Sequence, residues 1–239
     1  MDYSRYYKNW HDGSKEHLLQ ASKEYEKYLD RLGLAKEATI LDIGCGHGFF
    51  VSAALRRGYS EVVGIDESAE QVATAKAYGL PCDLVSSTSQ WLESRAEQFD
   101  AVFMFDVLEH IPKSEQIKVL TTIHRALKRT GVLFVRVPNA AALFNGYFRY
   151  NDWTHQDSFG NLSLDFVIHN AGFKSIEVCE DHFGKIPLWV PRPSVQGVLR
   201  ALFYATRRLQ AFAEFGARGL GIPLTINIVA EARKRQTEK

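Results

Sequence analysis

The sequence is poor in cysteine. Three occur in 239 residues, Cys45, Cys82 and Cys179. They stand far apart and at no metal-ligand spacing, which excludes a disulfide framework and suggests reduced thiols in a cytosolic protein. Excess charge is also lacking. The 29 Lys and Arg against 28 Asp and Glu leave a net charge of +1, so no large nucleic-acid surface is expected. No apolar run approaches the ~18 residues of a membrane span. The first residues, Met1-Asp2-Tyr3-Ser4-Arg5-Tyr6-Tyr7-Lys8, contain no apolar stretch of the kind a secretion signal needs. There is no internal repeat and no low-complexity tract. What is present is 46% apolar and 24% charged residues, the balance of one globular domain with a substantial core.

The hydrophobic pattern alternates between two periods. Residues 15–32 place Leu18, Leu19, Tyr25, Tyr28, Leu29 and Leu32 at helical spacing. Strands are then expected at 39–43, 61–65, 83–86, 100–105 and 131–137. Helices are expected at 49–57, 68–78 and 113–128. Glu67 and Glu70 sit favourably at the positive N-terminal end of the second of these. Such alternation predicts an α/β fold: a mostly parallel seven-stranded sheet with helices on both faces. The C-terminal third adds a helix at 164–170 stopped by Gly172. Two strands, 174–180 and 224–230, are expected to close the sheet as an antiparallel pair. Between them lies a helical insertion, 187–223, that opens with Pro187, Pro191 and Pro193. The whole chain, 1–239, is read as a single domain, with 1–36 as an N-terminal helical lid.

The run Ile40-Leu41-Asp42-Ile43-Gly44-Cys45-Gly46-His47-Gly48 is a buried strand breaking into a turn with glycine at every second position. Glycine tolerates positive φ and leaves no Cβ between chain and ligand, so the loop is a candidate cofactor cradle. Cys45 reads as a small packing residue. Two cofactors compete. A dinucleotide site wants G-x-G-x-x-G/A, but Phe49 stands where the third small residue belongs. Asp66, at the end of the second strand, could hold two ribose hydroxyls in either case. Asp42 beside the turn suits a cationic ligand better than a pyrophosphate; alternatively it accepts bonds from the turn's own N–H groups.

Four ordered segments carry a resemblance. They are Leu41-Asp42-Ile43-Gly44-Cys45-Gly46-His47-Gly48, Val63-Gly64-Ile65-Asp66, the stretch from Phe99 through Phe105-Asp106-Val107-Leu108-Glu109-His110-Ile111-Pro112, and Gly131-Val132-Leu133-Phe134-Val135-Arg136-Val137-Pro138-Asn139. Over roughly 38–180 the chain resembles the Rossmann-like S-adenosylmethionine-dependent methyltransferases. The resemblance implies S-adenosyl-L-methionine as cofactor. It puts the methionine part on the first loop (Asp42, Gly44, Cys45, Gly46, Gly48) and the ribose on Asp66, with Glu67 beside it. It puts the adenine beside Ser86, Ser87 and Thr88, and makes Met104, Phe105 and Asp106 walls of the site. The family's usual acidic residue near the adenine is missing from 86–88. The third segment, with Val137-Pro138-Asn139-Ala140 and Tyr147-Phe148-Arg149-Tyr150-Asn151-Asp152-Trp153-Thr154-His155, is also similar to methyltransferases of bacterial surface-polysaccharide clusters. That narrower likeness implies a sugar hydroxyl of an O-antigen or capsular glycan as acceptor.

Methyl transfer to a hydroxyl requires alignment of the acceptor and removal of its proton. No metal is expected. The segment 149–157 should lie over the carboxyl ends of the strands. His155 is the first candidate base, since imidazole titrates near neutrality; its bland alternative is a structural histidine bonded to Asp152 or to a backbone carbonyl. Asp152 would orient His155 or bind the acceptor. Glu109 and His110 are the second candidates, with loop anchoring as their alternative role. Tyr7, Trp10 and His11 are read either as a lid or as part of a packed helix. Residues 194–215 form a basic amphipathic stripe. The stripe either meets the inner face of a membrane or covers the sheet or a second copy of the chain. The expected function is O-methylation of a glycan or its precursor. The alternatives are methylation of a small aromatic or quinone-like acceptor, a non-catalytic cofactor-binding module and, last, a dinucleotide oxidoreductase.

Overall fold

A computed structural model describes residues 14–181 and 195–234. Its strands are β1 (Ile40–Ile43), β2 (Val62–Asp66), β3 (Cys82–Leu84), β4 (Phe99–Phe105), β5 (Leu127–Pro138), β6 (Ser175–Glu180) and β7 (Asn227–Arg233). They form one seven-stranded sheet in the order β3-β2-β1-β4-β5-β7-β6. The first five strands run parallel, and β7 enters antiparallel between β5 and β6. The expected α/β class and the closing antiparallel pair are both present.

The helices are α1 (Lys15–Ser22), α2 (Glu26–Leu32), α3 (Phe49–Arg56), α4 (Ala69–Ala77), α5 (Thr88–Glu93), α6 (Lys113–Ala126), α7 (Asn145–Asn151), α8 (Asn161–Asn170) and α9 (Val195–Phe215). The single helix expected over 15–32 is interrupted by a 3-10 turn at Lys23–Tyr25. Helices α1 to α4 pack on one face, where Leu18, Leu29, Phe50, Ala75, Phe103 and Phe134 make one core cluster. Helices α5, α6 and α8 cover the other, around Leu41, Ile43, Met104, Leu120, Ile123 and Phe173. Both faces are dry, which is why β1 is buried at every position. The described part of the expected N-terminal lid is therefore a wall of the core: Leu18, Tyr28 and Leu29 are buried in it. Tyr7, Trp10 and His11, and with them the lid reading, lie outside the described residues, as do Pro187, Pro191 and Pro193.

Side-chain alternation along β4 separates neighbours. Met104 points into the α6 cluster while Phe105 points to the α2–α3 side. Sheet order reverses direction between β1 and β4, so a crevice opens at the carboxyl ends of these strands.

Of the readings open for helix α9, a cover for the sheet is not what the structure shows. It does not lay its apolar stripe on the sheet: Val195, Leu199, Phe203, Leu209 and Phe215 are exposed. It is held instead by its arginines. The Arg207 guanidinium donates to the carbonyls of Leu224 and Ala141, both at 2.8 Å. Arg208 donates to the Ile222 carbonyl at 2.7 Å and pairs with Glu180 at 2.9 Å. No helix among the described residues is long and apolar enough to cross a membrane.

Candidate active site

The turn after β1 is built on positive φ at Gly44 (69°) and Gly46 (53°). A Cβ on Gly44 would sit 2.3 Å from Val107 Cγ2, so the loop and the segment after β4 can approach only because this residue has no side chain. Gly48 does something else. It precedes α3 and closes the turn through its N–H to the Cys45 carbonyl (2.8 Å). It borders neither of the two clefts above the sheet, and its part is in the turn itself. Cys45 is buried against Gly64, as its packing role required.

Two clefts meet above the switch in strand order. One, of about 450 Å³, is lined by Asp42, Gly44, Cys45, Gly46, Phe105, Asp106, Glu109, His110, Asp152 and His155, among others. The second, of about 740 Å³, is lined by Gly44, Asp66, Glu67, Ser87, Thr88, Asp106 and His110, among others. Gly44, Asp106 and His110 border both. The two clefts thus bring together every predicted site residue except Gly48 and Ser86, and, of the three expected walls, Phe105 and Asp106 but not Met104. The sequence reading missed Tyr25, Gln71 and Phe148, which also line the first cleft.

Among the described residues no lysine or arginine lines either cleft, whereas carboxylates recur in both. That electrostatic setting disfavours a pyrophosphate and suits a cation. Asp42 carries this furthest. It is buried and borders the first cleft, and its carboxylate accepts no hydrogen bond from the described residues. Burial pushes its carboxyl well above the usual range; the charges of Cys82 and Asp66 add to this and Arg136 opposes it. A cationic ligand facing Asp42 would relieve that penalty. Asp66 accepts the Gly46 N–H at 2.9 Å and the Ser68 N–H at 2.8 Å. Each of its oxygens keeps a further lone pair for a hydroxyl. Glu67 accepts the Thr88 N–H at 3.2 Å and so ties the second cleft's two walls together. These residues fit the S-adenosylmethionine implied by the resemblance, with its ribose at Asp66 and its cationic end at Asp42.

The other side of the first cleft is made by the segment after α7. Its position is fixed by the backbone. The N–H groups of Gln156 (2.7 Å) and Asp157 (3.3 Å) both donate to the Glu109 carbonyl. Glu109 therefore anchors the loop, as one of its two readings held. His155 Nε2 lies 3.7 Å from Asp152 Oδ2. Burial tends to raise the Asp152 carboxyl, but bonds from the Thr154 N–H (2.8 Å) and hydroxyl (2.6 Å), with the imidazoles of His110 and His155, hold it below the usual range. Burial lowers the imidazoles of His155, against the pull of Asp152, and of His110, where His155 adds to the effect. His110 Nδ1 is 2.8 Å from Thr154 Oγ1. The rings of His110 and His155 meet edge to face with centroids 4.6 Å apart.

Beneath the cleft runs a polar chain. Arg136, buried on β5, pairs with Asp106 and donates to Tyr28 Oη at 3.2 Å. Tyr28 donates to Asp181 at 2.7 Å, and Lys27 pairs with Asp181 at 2.8 Å. Asp106 has φ 56°, a conformation that a non-glycine residue keeps only when its surroundings impose it.

Residues 17–178 match the family model described as a methyltransferase domain. The chain belongs to that family. Two curated relatives are ubiquinone biosynthesis O-methyltransferases. One, from Pseudomonas paraeruginosa, is 36% identical over 115 residues, which is 46% of this chain and 48% of the relative. The other, from Rhizobium etli, is 37% identical over 112 residues, 44% of each. The chain thus spans about half the length of the curated relatives it matches. Among solved structures, a SAM-dependent methyltransferase from Archaeoglobus fulgidus aligns at TM-score 0.64 and 20% identity over 89% of this chain and 94% of that one. A phosphoethanolamine N-methyltransferase from Haemonchus contortus, in complex with S-adenosyl-L-methionine, aligns at TM-score 0.60 and 20% identity over 90% of this chain and 53% of that one. These likenesses carry the fold.

Proposed function

We propose that the protein is an S-adenosylmethionine-dependent O-methyltransferase whose acceptor is a hydroxyl on a small aromatic, quinol-like ring. The observation that carries this reading is the make-up of the first cleft. Tyr25, Phe49, Phe50, Phe105 and Phe148 supply rings, and His110, Asp152 and His155 supply polar groups beside them. A flat acceptor can be sandwiched by the rings while its hydroxyl meets an imidazole. The relatives of ubiquinone biosynthesis favour the same acceptor class over the glycan expected from the narrower resemblance.

When bound, S-adenosylmethionine supplies a methyl group on a sulfonium leaving group. Asp42 and Asp66 hold and orient the ligand from opposite ends of the glycine turn. The Asp152 carboxylate, 3.7 Å from His155 Nε2, favours the charged form of that ring, and the imidazole takes up the acceptor proton.

A glycan remains the second reading because Tyr150 and Trp153, beside the cleft, are 79% and 89% exposed and could stack on sugar rings. The purified protein with isotope-labelled S-adenosylmethionine separates the two. Methyl incorporation into catechol or 3,4-dihydroxybenzoate is expected, and none into a panel of methyl glycosides and nucleotide sugars. Label in the sugars alone overturns the aromatic reading; ligand binding with no turnover on any acceptor favours the non-catalytic module. The exposed stripe of α9 supports peripheral contact with a membrane carrying a lipophilic acceptor, or pairing of two copies; vesicle co-sedimentation and equilibrium sedimentation test these.

A further inference from the structure

Helix α9 lies outside residues 17–178, which match the family model, so the shared domain does not account for its surface. It meets the body of the protein with its polar face. Ala211 is buried, Tyr204 donates to Glu180 at 2.7 Å, and Arg207 and Arg208 are engaged by the carbonyls and the carboxylate that hold the helix. At about 3.6 residues per turn, these four side chains occupy about 100° of the helix circumference. The apolar stripe is centred on the opposite side and points directly away from the body. A surface helix ordinarily does the reverse.

The stripe has an order of its own. Val195, Leu199, Leu202, Thr206, Leu209 and Ala213 recur at intervals of four and three residues. That is the 3.5-residue repeat of a helix that packs along another helix. All six are exposed. The Thr206 hydroxyl donates to the Phe203 carbonyl at 2.9 Å, so it needs no partner in the seam. Val198, Phe203, Ala205 and Phe212 flank the seam, and none of these side chains carries a charge.

We propose that two copies of the chain pair through this seam, α9 against α9, antiparallel about a two-fold axis at residue 204. In that register large side chains meet small ones. Leu202 meets Thr206 of the second copy, Val195 meets Ala213, and Leu199 meets Leu209. Ala205 faces its own counterpart across the axis, where a small side chain lets the two backbones approach. The pairing does not depend on which reaction the cleft catalyses.

The exposed area is of the size that such a contact needs. Val195, Leu202, Phe203 and Leu209 are 78%, 58%, 62% and 69% exposed. With Val198, Leu199 and Phe212 they show on the order of 700 Å² of apolar surface, more than a monomer ordinarily leaves in one patch. Two copies would bury roughly 1,000–1,400 Å² together, which reaches the range of specific interfaces. A lipid surface is the competing occupant. An interfacial helix keeps its basic residues for the headgroups. Here Arg207 and Arg208 turn back and are bonded to the body. Nor does a lipid surface require a 3.5-residue repeat.

Sedimentation velocity of the full chain at micromolar concentration is expected to show a dimer. Leu202→Glu and Leu209→Glu each bury a charge twice per dimer and should raise the dissociation constant at least about 100-fold. Both positions are exposed in the single chain, so circular dichroism and the thermal midpoint of the monomer should not change. A short bismaleimide reads the register, with the wild type treated alike as background. Ala205→Cys should be linked to its counterpart. Val195→Cys should not, because antiparallel pairing holds its two copies about 27 Å apart. A wild type that sediments as a monomer overturns the proposal, and so does a dimer that survives both glutamate variants. Linkage at Val195→Cys without linkage at Ala205→Cys overturns the antiparallel register. Binding of a monomeric wild type to phosphatidylglycerol vesicles, lost in Leu202→Glu, overturns the pairing and assigns the stripe to a lipid surface.

Discussion

Asp42→Asn should make the ligand-free protein more stable and its ligand bind less tightly. The two effects share one cause. Burial holds the Asp42 carboxyl well above its ordinary range, so the folded protein keeps this proton to a higher pH than the unfolded chain does. Stability from this group is accordingly lost as pH rises from the unfolded value, about 3.9, through the raised folded one. An asparagine carries no such penalty, and the thermal midpoint near neutral pH should rise. The ligand sees the reverse. A cation meeting a desolvated carboxylate forms a charge-assisted contact of about 1.5–3 kcal/mol, so the Kd for S-adenosylhomocysteine should rise about 10- to 150-fold. In the wild type, binding below the raised pKa must expel the Asp42 proton. Affinity should therefore fall as pH is lowered, by at most about tenfold per unit, and this component should vanish in the variant. Calorimetric titrations across pH, in buffers of different ionisation enthalpy, read both the affinity and the proton released. A variant that binds as well as the wild type, or keeps its full pH dependence, would refute the assignment of Asp42 to the cationic end of the ligand.

Three further outcomes are expected. Gly44→Ala should cost about 2–4 kcal/mol, combining the positive-φ penalty with the overlap on Val107, and Val107→Ala in the same chain should recover the steric part; urea unfolding of the single and double variants measures this, and an absent rescue would contradict the contact. Asp66→Ala should weaken S-adenosylhomocysteine by about 1–3 kcal/mol by removing the acceptor that also braces Gly46 and Ser68, whereas unchanged affinity would remove the ribose assignment. Arg136→Met should destabilise the fold by about 1–3 kcal/mol in urea unfolding, because it removes the partner of a part-exposed Asp106 and a donor to Tyr28 Oη, and an unchanged stability would show the ion pair to be dispensable.

How far the sequence reaches depends on whether the cause of a feature is local. The uninterrupted apolar run at 40–43 and the alternating glycines after it have local causes, and β1 and its turn lie where they were read. The same holds for Asp66, which a strand end places at the cleft whatever the rest of the chain does. The short α5 and α7 have no apolar period to announce them, since tertiary packing rather than pattern sustains helices of this length. Met104 and Phe105 are strand neighbours, and alternation sends them to opposite faces, so the pattern alone separates the core residue from the cleft wall.

The meeting of Glu109 and His110 with His155 is of another kind. It depends on two backbone N–H groups finding the Glu109 carbonyl, and a backbone bond of this sort leaves no mark on side-chain identity. One signal was nevertheless available. Arg136 interrupts an apolar strand between Val135 and Val137, and Glu109 follows the apolar pair Val107-Leu108 directly after β4. A titratable residue standing where burial demands an apolar one must find a partner or give up its charge. Arg136 has its partners in Asp106 and Tyr28. Glu109 has none among the described residues, and burial raises its carboxyl well above the usual range, so the folded chain keeps it protonated where an exposed glutamate would be charged.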